Sequence, residues 1–366
     1  MSVFINARCL TQPQSGVQRY ARELLSALDT LWATQGGPKA TAFFPQDADL
    51  QTRPAWSHIQ LRPLAGGTGH FWEQRALARA SRGGALVSLC NSGPLAHPSQ
   101  ILALHDAHIF DHPQTFSAGY RFWHSALRPR LAQRAARLLT VSPHAAGRLS
   151  THVGVPAARF DIVPNAAGHI LRVRPKPGAC LSFGVLPRSY FLCVGNASPL
   201  KNLHRLIAAH SVLPAEAPPL VVVGATPHGL RSAQTASSER LRFLGRVTDA
   251  ELVGLYQDAI GFVFPSLDEG FGIPPLEAAA LGTPVVAAKA GAMPWVLGDA
   301  PIWCDPQDAG DIARALSTLW HLPERQRIKR IAQGKLRAAA FSWTESAAQL
   351  NEIVTQVQPR AQGRAA

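Results

Sequence analysis

The chain predicts an α/β fold made of two Rossmann-like domains, with parallel sheets facing across a cleft. Three observations carry this. Short apolar runs such as ALVSLC (85–90), PLVVVGA (219–225) and TPVVAA (283–288) show no alternation. Strands buried on both faces read this way, which implies parallel sheets with helical crossovers. Segments of helical period separate the runs, and 366 residues suffice for two separate cores.

In the first half, SVFINA (2–7) reads as a strand and residues 16–31 as a helix. ALVSLC and ILALHD (101–106) read as buried strands, RLLTVS (137–142) as another, and HAAGRLSTHV (144–153) as a helix. FDIVPN (160–165) closes this half. The Pro- and Gly-rich segment 173–189 reads as a linker between a first domain at 1–172 and a second at 190–341. The second series runs through strands at 190–195, 219–225, 241–245, 261–266 and 283–288. Helices are expected over 200–213, 249–258 and 308–320. A last helix over 342–357 is expected to be able to return to the first domain, and 358–366 reads as a frayed tail.

Hydrophobic residues make up 46% of the chain and charged residues 16%, which excludes a disordered protein. Six lysines and thirty arginines give a net charge of +13. That balance suits nucleotides, anionic lipid headgroups or nucleic acid, although a GC-rich genome yields the same composition. Five scattered cysteines form no C-x-x-C pair, so neither a disulfide framework nor a zinc site is expected. His108, Asp111 and His112 lie close in sequence but lack a metal-binding spacing, and no bound metal is expected. The start, MSVFINARCL, lacks a basic region followed by an apolar segment, so no signal segment is expected, and no run reaches the ~18 apolar residues that span a bilayer. A cytoplasmic protein is expected, with the cytoplasmic face of the inner membrane as its one candidate surface. That candidate rests on YRFWHSALRPRLAQRAARLL (120–139). Its stripe of Trp123, Leu127, Leu131, Ala135 and Leu138 reads first as a core-facing helix with a basic outer face, broken at Pro129. A membrane-surface or acceptor-lipid patch is the alternative.

The chemistry concentrates in SLDEGFGIPPLEAAALGTPVV (266–286). Glu269 and Glu277 enclose seven residues, among them a Gly-Phe-Gly turn and a Pro-Pro helix start. Proline fits a first helical turn, so Glu277 is expected there, with Gly282 ending the helix. Gly270 and Gly272 let backbone approach a ligand, and a helix start offers N–H groups to an anion. An acid on each side of such a cradle suits a ligand with hydroxyls and phosphates, such as a nucleotide sugar.

This stretch closely resembles the paired-glutamate motif of retaining glycosyltransferases of the two-domain GT-B fold, in particular family 4 (group 1). SGVQRYARELLSAL (15–28), LHD (104–106), LLTVSPHAAGRL (138–149), IVPN (162–165), VGNASPLKNL (194–203) and LGRVTDAELVGLYQDA (244–259) fall in that family's order. The resemblance implies roles. Glu277 would hold the donor ribose. Glu269 would contact the donor sugar, helped by the N–H groups of Phe271 and Gly272. Lys201 would neutralise the departing diphosphate. Gly16 would give a close approach to donor phosphate or acceptor, with Arg19 and Tyr20 beside it. His105 would meet the sugar near its anomeric carbon. Ser142 and Asn165 would hold loops in shape. The chain departs from the family pattern in carrying Asn196 and Leu200 where an arginine is usual, and Arg246 is the candidate substitute. It also has Met293-Pro294-Trp295 where a glutamate is usual.

The expected activity is retaining transfer of a hexose to an acceptor hydroxyl without cofactor or metal. The donor would be a nucleotide diphosphate sugar and the acceptor a glycan or lipid-linked glycan of surface-polysaccharide assembly. The P-x-K-N variant of the phosphate loop resembles that of mannosyl- and related transferases of surface-polysaccharide assembly, which makes GDP-mannose the leading donor. A related phosphorylase or sugar-nucleotide epimerase is the nearest alternative. A nicotinamide enzyme is disfavoured because no G-x-G-x-x-G follows the first strand. A nucleic-acid-binding protein would fit the charge, but no recognised motif appears and none is expected to bind.

Overall fold

The computed structural model describes residues 2–51, 53–224 and 239–357. The chain divides into two compact units, one of residues 1–165 and 343–366, the other of 166–342. Ala225 and the segment 358–366 lie outside the described residues.

The first unit holds seven strands: β1 (Ser2–Asn6), β2 (Lys39–Pro45), β3 (Gln60–Leu64), β4 (Ala85–Ser88), β5 (Gln100–Ala103), β6 (Arg137–Thr140) and β7 (Phe160–Ile162). They pair in the order β3-β2-β1-β4-β5-β6-β7, all in parallel. The second unit holds β8 (Phe191–Val194), β9 (Leu220–Val223), β10 (Leu241–Gly245), β11 (Gly261–Phe264), β12 (Val285–Ala288) and β13 (Ile302–Cys304). Their order, β10-β9-β8-β11-β12-β13, is again parallel throughout. Each sheet reverses its winding once, between β1 and β4 and between β8 and β11. In a doubly wound sheet the loops at the carboxyl ends of those two strands diverge and leave a crevice for ligand.

The continuous apolar runs produce this arrangement. Every residue of β4, β5, β9, β11 and β12 is buried. The helix Gly16–Gln35 packs through Tyr20, Leu24, Leu25, Leu28 and Trp32, all buried. The helix Trp343–Gln356 belongs to the first unit, where it packs along Gly16–Gln35 and Trp32 Nε1 donates to Asn351 at 2.7 Å.

Three sequence expectations change. The segment 173–189 is not a free linker. It turns through a short helix, Ala179–Ser182, buries Ala179 and Cys180, and packs on the helix Asp249–Asp258 within the second unit. The stretch 120–139 is not one stripe. Its helix is Ala118–Arg134, Trp123 is exposed, and Leu138 belongs to β6. Pro129 sits inside that helix without ending it. β2, β3, β13 and the helix Glu324–Ala339 are not among the elements expected from the sequence. β3 is a largely exposed edge containing Pro63, and the basic helix 324–339 buries only Gly334 and Ala338.

Asp29, buried on the first helix, accepts the backbone N–H groups of Ser57 (2.8 Å), His58 (2.8 Å) and Ile59 (2.7 Å). It fixes the chain entering β3. Asp29→Ala leaves these donors unsatisfied and is expected to lower stability by about 2–4 kcal/mol, read as a lower urea midpoint.

Candidate functional site

The second unit gathers its polar groups where β8 and β11 end. After β8 the chain passes Gly195 and makes a single 3₁₀ turn, Pro199–Lys201. Asn196 is exposed, and its Oδ1 accepts from Ser198 N–H at 3.1 Å, which shapes the turn. A side chain at Gly195 would crowd the Lys201 stem, with Cγ only 3.2 Å from a Cβ there. Lys201 Nζ reaches Glu269 Oε1 at 2.5 Å and lies 5.2 Å from the centre of the Phe264 ring. Leu200 is buried, and its carbonyl accepts from Leu267 N–H at 2.9 Å. Cation and carboxylate thus come from loops at adjacent strand ends.

The helix after this loop is Ile273–Leu281, capped by Gly272 at φ 90° and closed by Gly282 at φ 86°. Glu277 is its fifth residue, so it stands one turn further in than the first turn expected from the Pro-Pro start. The helix begins at Ile273 because only Gly272 takes up the left-handed cap. Glu277 is 5% exposed. His169 Nε2 lies 2.7 Å from its Oε1, and the Tyr256 hydroxyl donates to its Oε2 at 3.1 Å. The carboxylate is held from both sides and keeps acceptor capacity, since two oxygens offer about four lone-pair positions.

The Gly-Phe-Gly turn is fixed by packing. A Cβ on Gly272 would meet Met293 Cε at 2.3 Å. Phe271 is buried against Trp295 and Phe341, with ring centres at 6.2 and 5.3 Å. Gly291, at φ 57°, brings the loop after β12 onto Glu269. A Cβ there would lie 2.7 Å from Glu269 N and 2.8 Å from its carbonyl oxygen, and Ala292 N–H donates to that carbonyl at 3.0 Å. Met293 and Trp295 therefore brace the turn from a short helix, Met293–Leu297. Gly270 is part-exposed beside Glu269, and Arg246 is exposed at the end of β10.

The first unit has its own polar cluster at the ends of β1 and β4. Glu73 is fully buried. It accepts from Asn6 Nδ2 (2.8 Å) and Ser92 Oγ (2.9 Å), pairs with Arg8 Nε (3.1 Å), and faces His70 Nδ1 at 2.9 Å. Burial works to raise its pKa, but His70, Arg8 and Asn6 outweigh it and hold the carboxyl below its ordinary value. His105, at the end of β5, is buried, with Nε2 2.7 Å from Leu89 O. The Tyr20 ring meets it edge-on at 4.8 Å. The Tyr20 hydroxyl donates to Val163 O at 3.1 Å, so Tyr20 docks the first helix. Arg19 lies 4.0 Å from Glu23 on the same helix, and Gly16 is exposed at its start. Ser142 caps the helix Pro143–Val153, accepting from Ala145 N–H at 3.1 Å, and Asn165 is buried. Asp111 binds Arg148 and His152. Among the described residues, no group of three or more His, Cys, Asp or Glu side chains is placed to hold a metal ion.

Sequence reasoning named Lys201, Glu269 and Glu277 and did not name His169, Tyr256, Gly291 or Glu73. His169 and Tyr256 stand 108 and 21 residues from the carboxylate they hold, and only folding brings them together.

Burial depresses His105 below 6.5, and burial followed by Arg128 pushes His124 to about 3. Such histidines stay neutral when folded and take up a proton on unfolding. Stability is therefore full above about pH 6.5 and is lost as pH falls, by up to ~1.4 kcal/mol per unit for each, until the folded pKa is passed. Denaturant midpoints should drop between about pH 6.5 and 5. His105→Gln should flatten part of that slope.

Residues 186–335 match the family described as Glycosyl transferases group 1. The chain is 27% identical over 272 residues to O-antigen chain mannosyltransferase RfbU of Salmonella typhimurium strain LT2, covering 72% of this chain and 73% of that one. It is 30% identical over 268 residues to O-antigen chain mannosyltransferase B of Escherichia coli, covering 66% of each. It spans only 28% of the longer serotype-specific mannosyltransferase WbdA of Escherichia coli, at 30% identity over 59% of this chain. Among solved structures, Anabaena Alr3699/HepE in complex with UDP and glucose superposes with a TM-score of 0.71 at 17% identity, over 97% of this chain and 99% of that one. That likeness establishes the GT-B fold of two Rossmann-like units. The family match over the unit that holds Lys201, Glu269 and Glu277, together with the mannosyltransferase relatives at 27 and 30% identity, identifies the chain as a member of the group 1 glycosyl transferases.

Proposed function

We propose that this chain is a retaining hexosyltransferase of family 4 that moves mannose from GDP-mannose to an acceptor hydroxyl during assembly of a surface polysaccharide or lipid-linked glycan. The observation that carries the reading is the Lys201–Glu269 pair at the adjoining ends of β8 and β11, with Glu277 pinned one loop away. The names of the mannosyltransferase relatives support the choice of sugar.

In this reading the donor diphosphate takes over Lys201 from Glu269. Lys201 then stabilises negative charge as the bond from the anomeric carbon to phosphate oxygen breaks. Glu269, freed of its cation, accepts from hydroxyls of the sugar. Glu277, oriented by His169 and Tyr256, accepts from the ribose hydroxyls. Backbone N–H groups of Phe271 and Gly272 assist, and Asn196 and Arg246 border the nucleotide. From the first unit, Gly16 and His105 are assigned to the sugar or the acceptor. The acceptor oxygen bonds to the anomeric carbon on the face the leaving group vacates, and its proton passes to a donor phosphate oxygen. The products are nucleoside diphosphate and a glycoside of unchanged anomeric configuration. Most of the acceleration is then positioning and electrostatics, and Lys201 supplies positive charge without a divalent ion.

Incubation with GDP-mannose and a glycan or lipid-linked acceptor should release GDP only when acceptor is present, with activity retained in EDTA. An anomerically inverted product rejects retention, and preference for a uridine donor rejects GDP-mannose. Lys201→Ala should lower kcat/KM by about a hundredfold or more. Glu277→Gln should raise the donor KM by about tenfold, near 1.4 kcal/mol.

A further inference from the structure

We propose that the first unit carries a docking surface for a lipid bilayer with anionic headgroups, built from the exposed aromatic end of the helix Ala118–Arg134 and from Phe71. Every residue from Ser117 to Trp123 is exposed, including three aromatic side chains. Phe122 is 79% exposed, and Tyr120 and Trp123 are each 41% exposed. Phe71, at 59%, extends the patch, because the ring of its neighbour His70 lies 5.6 Å from Trp123. The helix enters the core only from His124 onward, through Leu127, Arg128 and Leu131. Core packing thus accounts for its second half and leaves its first turns as a bare apolar knob.

Charge decides what covers that knob. Between Gln74 and Phe160 the chain holds ten arginines and only two acids, Asp106 and Asp111. Asp111 is bound by Arg148 and His152, and Asp106 lies 3.7 Å from Arg128. Arg75 and Arg121 are exposed within the patch, and the Arg75 guanidinium sits 4.4 Å from the centre of the Phe71 ring. Aromatic rings settle at the headgroup level, and arginines beside them meet phosphate. Among the described residues no helix is long and apolar enough to cross a membrane, so the contact is one of lying on the surface.

Sedimentation of the full chain with vesicles tests this. The chain should bind phosphatidylcholine vesicles doped with phosphatidylglycerol, bind pure phosphatidylcholine vesicles poorly, and release in high salt. F122S/W123S should cut the bound fraction about tenfold, and R75E/R121E comparably, with melting temperature unchanged because all four side chains are exposed. Should one double variant fail to fold, the other decides. Equal binding to both vesicle types, undiminished binding by a folded variant, or loss in F122S/W123S of a dimer formed without lipid would each overturn the proposal. Binding to vesicles needs no sugar transfer, so its failure leaves the donor chemistry standing, and the converse also holds.

Discussion

A parallel strand can deliver its side chains and loops to ligand at one end only, and both units of this chain obey that constraint. Strand order reverses at β1/β4 and again at β8/β11, and the polar residues gather where those strands finish. Asn6 and Arg8 follow β1, Ser92 follows β4, Lys201 follows β8, and Glu269 follows β11. The strands of each sheet carry no buried charge, so their ends are where charge can be partnered. Chemistry and fold are therefore not separate specifications in this protein. The winding that buries the valines also collects the carboxylates.

Within that constraint the second unit builds in layers. Glu269 and Lys201 face each other directly, Glu277 is steadied by His169 and Tyr256, and Gly291 and Met293 hold the backbone beneath them. Each outer contact limits the freedom of the group inside it, so the carboxylates and Lys201 are held in defined positions. In the first unit Glu73 does comparable work, drawing four side chains from three separate segments around one buried charge.

What could be read from the sequence followed from local signals. Uninterrupted apolar runs marked β4, β9, β11 and β12, and segments of helical character at 144–153 and 249–258 marked the helices found there. The paired glutamates and Lys201 were visible because their spacing is local. The exposed edge strand β3 and the helix 324–339 lacked an apolar face to announce them. His169 could not be connected to Glu277 because the contact is purely tertiary. The segment 173–189 misled for a related reason. Proline and glycine predict turns, but turns still pack, and Cys180 is buried. Residues 118–123 showed helical spacing without showing which turns would remain bare.

The bracing of the Gly-Phe-Gly turn has a consequence for how this enzyme type can diversify. Positions 272 and 291 require glycine, since both hold left-handed φ angles of 90° and 57° and a β-carbon at 291 would also collide with the backbone of Glu269. Change in the shape of this loop must therefore travel through the larger neighbours Met293 and Trp295, whose bulk can be traded without rebuilding the main chain. A library confined to that short helix would sample new packings of the turn, whereas one aimed at the glycines would return mostly misfolded protein.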